Sequence, residues 1–137
     1  MGQEKPTRAV VIAEDDSLIR EMIGHALEDK FEILPAWDGI EAIEQYRRHA
    51  GRIAAVITDL TMPRLNGEQL VDWLRDKDPN LPVIVITAYS WSRQVNRLLS
   101  HANITLLWKP FDIGLLVELV DDFTGAQREA AACRLAE

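Results

Sequence analysis

The sequence predicts an α/β fold in which five β-strands, each followed by an α-helix, form one doubly wound parallel sheet. Five short apolar runs rich in β-branched residues alternate with five stretches whose apolar residues recur every three or four positions. Connections of this length imply right-handed crossovers with helices on both faces, and the common order of five such strands is 2-1-3-4-5. The 137 residues suit a single domain with a sizeable core.

The predicted strands are short and mostly continuous in apolar residues. Ala9–Ala13 is an unbroken apolar run, which is typical of a strand covered on both faces. Ile53–Thr58 and Leu81–Thr87 have the same character, with only their last residue polar. The remaining two strands are predicted at Phe31–Ala36 and Ile104–Trp108.

Each predicted helix follows a strand and carries its apolar residues on one face. The helices are expected at Ser17–Asp29, from a cap at Asp38 through Tyr46, at Gly67–Lys77, at Ser92–His101 and at Asp112–Phe123. Asp16 stands just before the first helix, where an acidic residue stabilises the N-terminus by about 0.3–1 kcal/mol. That is the only role expected of Asp16.

Composition bounds the domain organisation and the class of partner. We expect a flexible N-terminus over residues 1–7, a folded domain over 8–124, and a helix-prone tail over 125–137 that is a helical extension or the start of a linker. The net charge of −7 argues against a nucleic-acid partner, which needs a basic surface. No apolar stretch approaches the roughly 18 residues of a membrane span. The single cysteine, Cys133, and the absence of an apolar signal core predict a cytoplasmic protein.

Polar residues follow four of the predicted strands where each strand ends. Glu14 to Asp16 follow the first strand, Asp59 follows the third, Thr87 ends the fourth and Lys109 follows the fifth. In the order 2-1-3-4-5 the ends of strands one and three meet at the point where the order reverses. Carboxylates about 5 Å apart repel by roughly 3 kcal/mol at an effective dielectric of 20, so this edge of the sheet predicts a bound cation. Oxygen ligands without His or Cys favour Mg²⁺.

The chemistry that fits these residues is phosphoryl transfer. A carboxylate such as Asp59 can act as a nucleophile and form an acyl phosphate. Lys109 and Mg²⁺ would neutralise charge on the transferred group, and Thr87 would donate its hydroxyl to a phosphoryl oxygen. Singly, each residue has a structural explanation, such as a turn capped by Asp59. Their convergence on one edge favours a functional site.

Four segments resemble the receiver domain of bacterial two-component response regulators, the CheY-like superfamily of flavodoxin-like fold. They read EDD after the first strand, DLTMPRLNG after the third, TA after the fourth and KPF after the fifth. The resemblance covers roughly Ala9 to Phe123, with the segments in the family's order and spacing.

The resemblance implies a role for each site residue. Asp59 would be the phosphoacceptor, and Glu14 and Asp15 the acidic pair. Asp15 and Asp59 would ligate Mg²⁺ directly, Glu14 would act through water, and the backbone carbonyl of Thr61 would be a further ligand. The family pattern also implies a cis peptide bond between Lys109 and Pro110.

The resemblance also implies a signalling function in which the chain promotes only its own phosphorylation and dephosphorylation and is otherwise not an enzyme. A histidine kinase or histidine phosphotransfer protein would donate to Asp59. The signal would leave through a conformational change at the face of the fourth helix, fifth strand and fifth helix. The chain would be a stand-alone regulator or the receiver of a hybrid kinase, and a monomer or weak dimer.

Several residues depart from the family pattern or stand outside it. Leu106 occupies the position where receivers carry Tyr or Phe, which predicts an altered switch. Tyr89 and Thr61 flank the site, and Tyr89 is expected to shield the acyl phosphate from water. Trp91 is a candidate partner contact, whereas Trp73 is expected in the core or at its edge. The three histidines lack metal-site spacing and are expected to be structural or on the surface: His25, His49 and His101.

Three alternatives stand beside this interpretation. A Mg²⁺-dependent phosphohydrolase with an Asp nucleophile generally has a second Asp two residues later, where this chain has Thr61. A flavin or nucleotide binder of the same topology needs a phosphate cradle after strand one, where Glu14 to Asp16 would repel phosphate. A degenerate receiver that is no longer phosphorylated would not be expected to keep the whole set of site residues.

Overall fold

The computed structural model describes the backbone of residues 6–88 and 93–136, and the side chains of residues 6–88 and 93–125. It forms one five-stranded sheet in the order β2-β1-β3-β4-β5, with every neighbouring pair parallel. The strands are β1 (Ala9–Ala13), β2 (Glu32–Ala36), β3 (Ile53–Asp59), β4 (Val83–Thr87) and β5 (Ile104–Trp108). The helices are α1 (Ser17–Leu27), α2 (Gly39–Arg48), α3 (Gly67–Lys77), α4 (Arg93–Leu99) and α5 (Ile113–Ala136). The predicted fold class and strand order are confirmed.

Local signals at the helix starts explain why the elements begin where they do. The Asp16 carboxylate accepts from the amides of Leu18 at 2.9 Å and Ile19 at 3.3 Å, so it caps α1 as predicted. Asn66 and Gln69 form a reciprocal capping box at the start of α3. These caps satisfy amides that have no partner inside the helix.

Helix α3 has its predicted bounds, Gly67–Lys77, whereas the ends of α1, α4 and α5 differ from the prediction. Helix α1 ends at Leu27, two residues before the predicted end, and α4 ends at Leu99. The predicted start of that helix, Ser92, lies outside the described residues. Helix α5 continues to Ala136, well beyond Phe123, so the helix-prone tail is the second half of α5. Alanine-rich sequence favours helix without needing a packed face, which explains this extension.

The sheet is buried on both faces. All five residues of β1 are at most 1% exposed, and alternate residues enter two separate core clusters. One cluster lies towards α2, α3 and α4, and the other lies towards α1 and α5. Trp73 packs at the edge of the first cluster, edge-on to Tyr46 with ring centroids 5.6 Å apart, which agrees with its predicted position.

The register of the sheet brings two chain segments together at its carboxyl edge. Ala13 pairs with Thr58, so the residues that follow each of them, Glu14 and Asp59, leave β1 and β3 side by side. On the next pair of strands, Thr87 lies opposite Trp108. Over residues 6–88 and 93–136, no helix combines the length and apolar character needed to cross a membrane.

Candidate functional site

Three carboxylates meet at the carboxyl edge of the sheet, as the sequence predicted. Glu14, Asp15 and Asp59 each offer one oxygen, and these oxygens all lie within 4.8 Å of one another. The Glu14 amide donates to the carbonyl of Ala36 at 2.9 Å, and its own carbonyl accepts from the Arg20 guanidinium at 2.7 Å. These two bonds fix the turn between β1 and α1, so the acidic pair points at β3. The role of Arg20 was not predicted.

Asp59 lies at the end of β3 and is 7% exposed. The next residue, Leu60, donates its amide to the carbonyl of Ile86 at 2.9 Å and accepts from the amide of Gly67 at 2.9 Å. A Cβ atom at Gly67 would overlap the carbonyl oxygen of Asp59. Helix α3 therefore starts directly against the Asp59 backbone, and this close approach requires glycine.

Lys109 supplies the positive charge of the site. Its Nζ lies 2.8 Å from Oδ2 of Asp59 and 3.8 Å from Oε2 of Glu14. The Lys109 amide donates to the carbonyl of Thr87 at 2.8 Å, and the Lys109–Pro110 peptide bond is cis, as the resemblance implied. Burial alone would lower the pKa of Lys109, but the hydrogen bond and charge of Asp59 outweigh it and raise this pKa. The side chain is therefore an ammonium at neutral pH.

Glu14 is the site residue whose pKa is shifted furthest, and its burial explains why. It is 2% exposed, and its Oε1 accepts from the Asp16 amide at 3.2 Å. Its Oε2 is buried and has no hydrogen-bond partner among the described residues. Burial first, and then the adjacent Asp59 carboxylate, raise the pKa of Glu14 to about 8. Three carboxyl groups beside one ammonium, with a buried oxygen that has no hydrogen-bond partner among the described residues, fit a site that takes a hard divalent cation.

Thr87 and Thr61 both lie close to Asp59 along the backbone or across the sheet. Thr87 is 1% exposed at the end of β4, the strand next to β3. Thr61 follows Asp59 by two residues, and its amide lies 3.4 Å from Oδ1 of Asp59. Leu106 is half-buried against the first core cluster, in register with Val85. The predicted shielding residue Tyr89 and the predicted contact Trp91 lie outside the described residues.

An ion pair between the segment after β2 and the loop after β3 was not predicted. Arg64 Nε donates to Oδ2 of Asp38 at 2.6 Å, while Oδ1 of Asp38 caps α2 by accepting from the Glu41 amide at 2.8 Å. Burial would raise the pKa of Asp38, but the hydrogen bonds from Arg64 and Glu41 outweigh it, so its pKa is lowered. The sequence indicated Asp38 only as a cap. No local pattern links residues so far apart in the chain.

Comparison with known proteins points to one family. The family model for the response regulator receiver domain matches residues 10–121. The transcriptional regulatory protein PdtaR of Mycobacterium tuberculosis is 35% identical over 127 residues, covering 91% of this chain and 60% of that protein. The polar-differentiation response regulator DivK of Brucella anthropi is 25% identical over 121 residues, covering 86% of this chain and 97% of that protein.

A solved structure extends the comparison to a third context. The receiver domain of the hybrid histidine kinase CckA has a TM-score of 0.71 and 29% identity, over 85% of this chain and 98% of that one. The chain thus spans nearly all of DivK but less than two thirds of PdtaR. The similarity therefore covers one shared domain that occurs in proteins of different length.

Proposed function

The chain belongs to the response regulator receiver domain family of two-component signal transduction, and from that premise we propose that Asp59 is its phosphoacceptor. The carrying observation is the contact between Asp59 and Lys109 at 2.8 Å, beside the acidic pair of Glu14 and Asp15. A buried carboxylate aligned by an ammonium is a nucleophile held in one orientation. Its remaining oxygen can then form a bond to phosphorus.

The proposed reaction moves one phosphoryl group. An Asp59 carboxylate oxygen forms a bond to phosphorus while the bond from phosphorus to the donor nitrogen or oxygen breaks, and the electron pair leaves with the donor. Lys109 then faces a phosphoryl oxygen and neutralises its charge. Thr87, at the end of the neighbouring strand, donates its hydroxyl to another phosphoryl oxygen.

A divalent cation completes this proposal. Glu14, Asp15, Asp59 and the carbonyl of Thr61 would hold Mg²⁺, with Glu14 acting through water. When bound, the ion would supply charge neutralisation and alignment of the phosphoryl oxygens. Oε2 of Glu14 has no hydrogen-bond partner among the described residues, which supports this assignment, since a buried acceptor without a donor is rare in native proteins.

We infer the biological context from the family. Receiver domain proteins are generally signalling proteins and not enzymes, and this chain would catalyse only its own phosphorylation and dephosphorylation. The donor would be a histidine kinase or a phosphotransfer protein in the cytoplasm. The output would pass through the face formed by α4, β5 and α5, in a stand-alone regulator or within a longer protein.

The test is phosphorylation by a small donor. Acetyl phosphate and Mg²⁺ are expected to add the mass of one phosphoryl group to the wild type, read by intact mass spectrometry. Asp59→Asn should gain nothing. Asp16→Asn is the matched control, because Asn keeps the cap of α1 and the substitution removes a neighbouring carboxylate outside the acidic cluster. An unmodified wild type, or modification that persists in Asp59→Asn, would refute the assignment.

A further inference from the structure

The loop between β3 and α3 contains a backbone conformation that side chains rarely adopt. Arg64 has φ of 65°, and the amide of Leu65 donates to the carbonyl of Pro63 at 2.7 Å, which closes a three-residue turn around Arg64. Turns of this type with positive φ at the centre are rare and strained. Such a conformation persists only where the surrounding structure holds it. The contacts that hold Arg64 therefore matter for the loop.

Two contacts with the segment after β2 hold this turn. Arg64 Nε donates to Oδ2 of Asp38 at 2.6 Å, and the amide of Gly39 donates to the carbonyl of Leu65 at 3.1 Å. The Asp38 side chain is only 3% exposed, and its other oxygen is occupied by the Glu41 amide, so the acceptor is fixed in place. A Cβ at Gly39 would overlap Leu65. The loop is thus fastened by a side-chain pair and a backbone pair.

The same loop begins at the proposed phosphoacceptor. Just after β3, the amide of Leu60 donates to the carbonyl of Ile86 in β4. The amide of Thr61 lies 3.4 Å from the Asp59 carboxylate. The segment from Thr61 to Arg64 therefore spans two anchors, one in the sheet and one at Asp38. Where the Thr61 peptide stands over Asp59 depends on both anchors.

We propose that Asp38 and Arg64 are positioning residues of the acidic site, because their ion pair holds the loop that carries Thr61 against Asp59. Neither residue belongs to the acidic cluster, so they act through the loop. Groups that orient ligands in this way change metal affinity when they are removed. This inference rests on the proposed function, since it assigns the pair a role in Mg²⁺ binding and in phosphorylation of Asp59.

The test uses variants that separate the side chain from the backbone. Arg64→Gly and Arg64→Asn remove the guanidinium but tolerate positive φ, and Arg64→Lys keeps a cation that can reach Asp38. Asp38→Asn keeps the α2 cap and removes the charge. Mg²⁺ affinity is measured by calorimetry, and phosphorylation by acetyl phosphate is measured at limiting and saturating Mg²⁺. Circular dichroism checks that each variant is folded.

We expect Arg64→Gly and Arg64→Asn to weaken Mg²⁺ binding about 10-fold, with Arg64→Lys recovering most of the loss. Saturating Mg²⁺ should restore most of the phosphorylation rate, because the defect lies in holding the ion. The double variant of Asp38→Asn and Arg64→Gly should lose no more affinity than either single variant, since both remove one interaction. A general loss of stability would not produce this pattern in folded protein.

Different outcomes refute the two proposals separately. If the wild type binds Mg²⁺ and is phosphorylated, and folded Arg64→Gly and Arg64→Asn match it within twofold, the positioning role is wrong and the proposed function stands. Losses that multiply in the double variant also refute the pair. If the wild type neither binds Mg²⁺ nor gains a phosphoryl group, the proposed function fails, and the positioning role fails with it.

Discussion

At the scale of single residues, the site is governed by charges that lack full compensation. Oε2 of Glu14 is buried and receives no hydrogen bond from the part of the chain that the structure describes, and Lys109 is an ammonium that faces both Glu14 and Asp59. An unsatisfied buried acceptor costs about 1–3 kcal/mol. The protein therefore keeps a locally unfavourable arrangement, which agrees with an edge that gains stability when a cation binds.

Lys109 provides the first test at this scale. Lys109→Gln should slow phosphorylation by acetyl phosphate roughly 10²–10³-fold at saturating Mg²⁺, because a charged donor to the phosphoryl group is lost. Mg²⁺ affinity should stay the same or rise, since a competing cation has been removed. Lys30→Gln is the matched control, because Lys30 also pairs with an aspartate, Asp121, at 2.8 Å but lies before β2. Equal rates in the two variants would contradict the role of Lys109.

Asp38 provides a pH test with a defined sign. Its folded pKa is lowered, so its ion pair and cap contribute stability above the ordinary aspartate pKa of about 3.9, and this contribution is lost as the pH falls through the lower folded value. Urea unfolding should show Asp38→Asn less stable than the wild type by about 1 kcal/mol at pH 7, because Arg64 is mostly exposed and the pair is screened. Near pH 3 the difference should shrink. If the difference in unfolding free energy were the same at both pH values, the Asp38 charge would not be its cause.

At the scale of elements, β3 and α3 meet in a close backbone contact at the site. The first residue of α3, Gly67, lies against the Asp59 and Leu60 backbone, and its amide bonds to Leu60 at 2.9 Å. Strand β3, which ends in Asp59, therefore meets the start of α3 with no room for a side chain at position 67. The orientation of the carboxylate depends on this junction.

The junction predicts a contrast between two glycine substitutions. Gly67→Ala should lower the free energy of unfolding by about 1–3 kcal/mol, because a Cβ there meets backbone that must move. Gly125→Ala in α5 should raise it by up to about 1 kcal/mol, since a Cβ there meets nothing within 4 Å. Thermal or urea unfolding of both variants measures the contrast. Equal effects of the two substitutions would contradict the close contact at Gly67.

Trp108 on β5 is expected to report phosphorylation by its fluorescence, although Leu106 stands where receivers carry Tyr or Phe. Trp108 lies opposite Thr87, directly precedes Lys109 and is 39% exposed. Beryllofluoride with Mg²⁺, a phosphoryl mimic, is expected to change tryptophan fluorescence, and Trp108→Phe should remove most of that change. Trp73→Phe is the control, because Trp73 lies at the core edge on α3. If the fluorescence change persists in Trp108→Phe, Trp108 is not the residue that reports the state of the site.

At the scale of the whole molecule, cation binding and folding are linked. The acidic cluster comes from two strand ends that meet only in the folded sheet, so Mg²⁺ should bind the native state in preference to the unfolded chain. Any ligand with this preference raises stability in proportion to the logarithm of its concentration.

Mg²⁺ at 100 times its dissociation constant should therefore stabilise the protein by about 2.7 kcal/mol, which corresponds to a rise in Tm of about 10 °C for a domain of this size. Differential scanning calorimetry measures the shift. Asp15→Asn should reduce it, and Asp16→Asn should leave it unchanged. A wild-type shift no larger than that produced by NaCl of equal ionic strength would speak against a specific site.

The sequence alone predicted the elements, the strand order and the meeting of Glu14, Asp15, Asp59 and Lys109, because hydrophobic periodicity is local and the order of a doubly wound sheet follows from chain connectivity. Elements that end without a packed boundary were predicted less well, as the continuation of α5 to Ala136 shows. Hydrophobic periodicity alone predicted neither the distances between the site residues nor the assignment of phosphoryl chemistry to them.

Only the tertiary structure decided the Asp38–Arg64 ion pair, the burial of Oε2 of Glu14 and the contact of Gly67 with Asp59. Each depends on burial and on the path of a loop, and both are set by packing between segments distant in the chain. Residue types and spacing specify which groups reach the same edge of the sheet. The distances and environments at which they meet are determined by the folded core beneath them.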